Sequence, residues 1–124
     1  MAENFPGSTR QAVLVFHFAD RLKAEILLAS RLLGTVSHLE GLEQEGASRL
    51  FLDFLQGLEQ EINIAQVQIA DPEMVRVKTV MAGLLGMADS RMFQEMQTHF
   101  TWMISVMTTY AQRAMQYLVK EKLL

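Results

Sequence analysis

The stretch Ser90 to Leu124, SRMFQEMQTHFTWMISVMTTYAQRAMQYLVKEKLL, decides how this chain folds. It holds neither Gly nor Pro and consists mostly of helix formers, so it predicts one uninterrupted helix over about 90–122. At about 100° per residue, Met96, Phe100, Met103, Ile104, Met107, Tyr110, Ala111, Ala114 and Leu118 fall on one side and form a core-facing stripe. The opposite side carries Gln97, Thr98, Thr101, Ser105, Thr108, Thr109, Gln112 and Gln116, which are polar yet uncharged. Between Glu95 and Lys120 the only formal charge is Arg113. Solvated helix faces favour Lys, Glu and Arg, because Ser and Thr compete for the backbone and are poorer helix formers. This face therefore reads as partly covered. His99, Trp102, Val106 and Tyr117 widen the apolar arc, and Met and aromatic enrichment with few charges is the composition of an interface core. The residues expected to meet a second protein surface are Trp102, Met103, Val106, Met107, Tyr110 and Tyr117.

Working outward, the preceding sequence supplies three more helices. Ser8 followed by Gln11 predicts a capping box, and Val15, Phe18, Ala19, Leu22, Ile26, Ala29 and Leu33 recur at spacings of three and four. The first helix is expected over about 9–33, after a disordered N-terminus at 1–7. From Thr35 to Gly46 the apolar phase slips and Gly34, Gly41 and Gly46 punctuate it, predicting a connection with one short turn that Ser37 and Glu40 would cap. Phe51, Phe54, Leu55, Leu58, Ile62, Ala65 and Ile69 mark a second helix at about 47–70, with Gly57 on or near its apolar face. Asp71-Pro72-Glu73 then combines a capping carboxylate, a proline suited to the first helical position and a charge favoured by the helix dipole. A third helix is expected over about 72–86, and Asp89 or Ser90 as the cap of the last.

Four amphipathic helices with short connections predict an all-α fold, an antiparallel four-helix bundle with a long C-terminal helix, as a single domain over 1–124. The last helix would outrun the third by roughly 25 Å at 1.5 Å per residue. That overhang needs a cover, from within the chain or from a second copy. Together with the uncharged face it points to a homo-oligomer, a dimer or larger.

Composition narrows the function. The 124 residues have a net charge of −3, yet residues 38–73 hold eight acids against Arg49 alone. Such an acidic middle argues against nucleic acid, whose phosphates need clustered Lys and Arg. The block Phe100 to Val119 is interrupted by Gln112, Arg113 and Gln116, which opposes a membrane span. The first ten residues lack the pattern of a cleaved signal peptide, and the chain has no Cys. A cytoplasmic protein is expected.

Little in the sequence carries chemistry. Glu95 and His99 are four residues apart and Glu25 borders the first stripe, but the Glu-x-x-His pattern of carboxylate-bridged metal bundles does not occur. These three residues define the alternative reading, a small-ligand or metal-binding bundle. His38 is followed by Glu40, Glu43 and Glu45, surroundings hostile to a phosphoryl group. Eight Met residues between 74 and 115 read as pliable packing better than as haem ligands. No phosphate loop or catalytic triad pattern is found. The expectation is a non-enzymatic bundle without cofactor. It would act by protein-protein interaction, as a homo-oligomeric assembly or through adaptor-like or chaperone-like binding by its last helix.

Overall fold

The computed structural model describes residues 5–123. Its elements are α1 (Thr9–His38), α2 (Gly41–Gln68), α3 (Pro72–Asp89) and α4 (Phe93–Lys120), with no strand among the described residues. Each helix packs on the next, α4 closes the ring against α1, and the diagonal pairs stay apart. Connections of two or three residues force each helix to reverse, which gives the antiparallel four-helix bundle that the periodicity predicts. Cross-helix contacts fix the register. Arg21 of α1 meets Glu61 of α2, Ser30 of α1 donates to Gln97 of α4 at 2.9 Å, and Tyr110 of α4 reaches Asp71 at the start of α3.

The core is what the stripes place there. Val15, Leu22, Ile26 and Leu33 of α1 meet Leu55, Leu58 and Ile62 of α2, Met74, Met81 and Leu84 of α3, and Met96, Phe100, Met103, Met107 and Tyr110 of α4. Two caps are as expected. Ser8 Oγ accepts from the Gln11 N–H at 3.2 Å while Gln11 Oε1 accepts from the Gly7 N–H, and Asp71 accepts from the Glu73 N–H with Pro72 in the first turn.

Several boundaries differ from the sequence expectation. No connection spans 35–46: α1 runs through Gly34 to His38, and α2 begins at Gly41. Ser37 does not cap a turn but donates back to the Gly34 carbonyl at 2.9 Å. Gln44 reaches back instead, donating to the Val36 and Leu39 carbonyls at 3.2 and 2.7 Å and satisfying the end of α1. The glycine that the turn requires is Gly41, at φ +59. Helix α3 passes Gly86 and ends at Asp89, because Ala88 still packs into the core, so neither Asp89 nor Ser90 caps α4. Gly57 lies on the exposed side of α2, not on its apolar face.

The N-terminal segment is also corrected. Residues 1–4 of the expected disordered stretch lie outside the described residues, but Phe5 is only 8% exposed, its ring edge-on to Tyr110 at 6.0 Å. An aromatic ring can cover the end of α4, and that is where it goes. With 28 residues against 18, α4 outruns α3 by ten residues, about 15 Å. Phe5, Pro6 and Gly7 pack beside Arg113, Gln116, Tyr117 and Lys120 on this overhang. The chain thus supplies part of its own cover.

Candidate interaction surface

The six residues expected at an interface separate into two groups. Met103, Met107 and Tyr110 are fully buried within the chain's own core, and Val106 is 7% exposed. They hold the bundle together and present nothing outward, because the arc that looked too wide for one groove is filled by α1 on one flank and α3 on the other. Trp102 and Tyr117 remain half-exposed. The Trp102 ring is stacked by the Arg76 guanidinium of α3 at 5.4 Å, and Arg76 also pairs with Glu73 at 3.2 Å. A cation early in α3, mildly disfavoured by the dipole, is explained by this contact.

What α4 does present is its uncharged side. Gln97, Thr98, Thr101, Ser105, Thr109, Gln112 and Gln116 are exposed and Thr108 is half-exposed. The hydroxyls of Thr98, Thr101, Thr108 and Thr109 donate to the carbonyls of Gln94, Gln97, Ile104 and Ser105, four residues back, at 2.9 to 3.3 Å. The donors of these four threonines are satisfied inside the helix, so covering them strands no threonine proton, and the polar groups that a partner would still have to meet are the Ser105 hydroxyl and the glutamine amides. Neighbouring α3 continues the character: Val75, Thr79, Ala82, Gly83 and Gly86 are exposed, and no charge falls between Lys78 and Asp89. Beyond α3, the overhang of α4 adds exposed Met115 and Val119.

Tyr110 and Asp71 form a contact the sequence did not announce. The Tyr110 hydroxyl donates to Asp71 Oδ2 at 2.5 Å across 39 residues, and Asp71 is 2% exposed. Burial pushes the ionisation of Tyr110 well above its ordinary value, and the hydrogen bond and negative charge of Asp71 act in the same direction. Both groups are sealed in and mutually satisfied. The pair is a tether between the α2–α3 corner and α4, not an open site.

The metal alternative loses its geometry. Among the described residues no three His, Cys, Asp or Glu converge as a metal requires, so Glu25, Glu95 and His99 are not brought together as a ligand set. Glu25 is engaged by Arg21 at 3.1 Å. An open groove of about 610 Å³ between the end of α1 and the start of α4 is lined by Ser37, His38, Arg91, Gln94, Glu95 and Gln97 among others. His38 there contacts the Gly34 carbonyl through Nδ1 at 2.6 Å, tied to its own helix. No helix among the described residues is long and apolar enough to cross a membrane.

Comparison with known proteins leaves the surface to be read on its own terms: no family model matches the chain, and no curated protein or solved structure matches it.

Proposed function

We propose that this chain is a non-enzymatic interaction module, a cytoplasmic helical bundle whose outward face of α4 is covered by another protein surface, a second copy of the chain in the first instance. The observation that carries the reading is the row Thr98, Thr101, Ser105, Thr108, Thr109 and Gln112: uncharged over its whole length, with four threonine hydroxyls already bonded within the helix. The small threonine and serine side chains let two helices approach closely, and covering the four bonded threonines costs little desolvation. Half-exposed Trp102 and Tyr117 and exposed Met115 and Val119 at the margins provide the apolar area that the small residues lack.

The test is absolute mass by light scattering after size exclusion, for wild type and for Thr101→Lys/Ser105→Lys. Wild type is expected at a multiple of 14.1 kDa and the variant at a lower multiple with the same helicity. Wild type at 14.1 kDa, or a variant of unchanged mass, would overturn self-association through α4.

A further inference from the structure

Across the bundle from the α3 side of α4, helices α1 and α2 present a second face of different chemistry. On α2, Leu50, Gly57 and Ile64 follow at seven-residue spacing along one line, with Leu50 73% and Ile64 59% exposed. A Cβ added at Gly57 would meet nothing within 4 Å, so the line is two apolar knobs with a notch between them. Alongside, α1 presents Leu28, 44% exposed, and half-buried Phe18 and Leu32. The Arg21–Glu61 contact sets the register of the antiparallel pair, placing Leu28 level with Phe54, between the heights of Leu50 and Gly57.

The two helices carry opposite charge. Helix α1 holds Arg10, Arg21, Lys23 and Arg31 against Asp20 and Glu25, a balance of +2; α2 holds Glu43, Glu45, Asp53, Glu59 and Glu61 against Arg49, a balance of −4. Arg31 and Asp53 stand at nearly the same height, both exposed, and neither has an ion-pair partner among the described residues.

We propose that the α1/α2 face is a two-fold interface between two copies of this chain, with the axis parallel to the helices so that α1 of each copy lies over α2 of the other. The charge balance selects this arrangement. An axis perpendicular to the helices would set α1 on α1 and α2 on α2, like charge on like, whereas the parallel axis sets +2 on −4 twice. Heights are preserved by a parallel axis, so Arg31 of one copy comes within reach of Asp53 of the other, and Leu28 packs beside Leu50 at the near edge of the notch that Gly57 leaves. A glycine that costs its own helix about 1 kcal/mol and accommodates nothing within the chain thereby acquires a packing role. The contact uses none of the residues of the α4 face.

A charge exchange tests it. In sedimentation or light scattering against concentration, Asp53→Arg alone and Arg31→Asp alone should each weaken the association by about tenfold, and Arg31→Asp/Asp53→Arg should restore most of it. Leu50→Lys/Ile64→Lys, at exposed positions, should lower the mass with helicity intact. The inference is overturned if both the single charge changes and the paired lysines leave mass and dissociation constant unchanged, or if the double exchange is no better than the singles. The two faces fail separately: a mass that responds to Thr101→Lys/Ser105→Lys but not to these variants removes the α1/α2 contact alone, and the converse removes the α4 contact alone.

Discussion

Tyr110 shows how one residue can close a fold from several directions. Its hydroxyl reaches Asp71, which also caps α3, and its ring receives Phe5, which covers the overhang of α4. Replacing Tyr110 by Phe leaves a buried carboxylate short of a donor, a loss of about 1–3 kcal/mol measurable by urea denaturation. The pH dependence has a definite sign. The folded state holds the Tyr110 proton more tightly than the unfolded chain, whose tyrosine titrates near the ordinary value of 10.0. The unfolded state therefore binds fewer protons above that pH, and stability is lost as pH rises beyond it. Tyr110→Phe should flatten this alkaline limb; a limb of unchanged slope in the variant would show that another group causes it. Phe5→Ala, which empties a covered site beside the same ring, should cost about 3 kcal/mol in the same assay.

At the level of elements, the helices bear on one another through a few side chains that bridge them. Arg76 of α3 lies over Trp102 of α4, the one tryptophan in the chain. Arg76→Ala should red-shift the fluorescence and lower stability by about 0.5–1 kcal/mol; an unshifted emission maximum would mean that the guanidinium does not shield the ring in solution. Gly57 provides the complementary case, since its Cβ position is open. In the Asp53→Arg background, where the proposed α1/α2 contact is weakened, Gly57→Ala should stabilise α2 by about 0.5–1 kcal/mol in thermal denaturation. Within the wild-type background the same methyl should weaken association, because it fills the notch.

For the whole molecule, two proposed faces with different chemistry predict different responses to salt. The α1/α2 contact sets charge on charge at the surface, where screening shortens from about 10 Å at 0.1 M salt to about 3 Å at 1 M. The α4 face has no charge between Glu95 and Arg113. Association should therefore fall in part as salt is raised, and the salt-dependent part should vanish in Asp53→Arg. If the dissociation constant of the wild type is indifferent to salt, electrostatics does not orient the copies.

The sequence by itself determined the four helices, the residues of each core stripe and two of the caps, because hydrophobic periodicity and capping chemistry are local and 3.6-fold repeats admit one solution. It also marked the α4 face as unusual, through the missing charges. Tertiary structure alone decided which wide arcs were interior. Met103, Val106, Met107 and Tyr110 carry the side chains of an interface, but helices on both flanks bury them, and flanking is a property of the packed bundle rather than of the spacing. The same is true where helices end. Gly34, Gly46 and Gly86 read as stops, yet burial of Val36 and Ala88 carries α1 and α3 past Gly34 and Gly86, where the packing gained outweighs about 1 kcal/mol of propensity, and α2 starts ahead of Gly46, where Gln44 bonds the end of α1. Phe5, Asp71 and Arg76 found partners 26 to 105 residues away, contacts that no window of sequence contains.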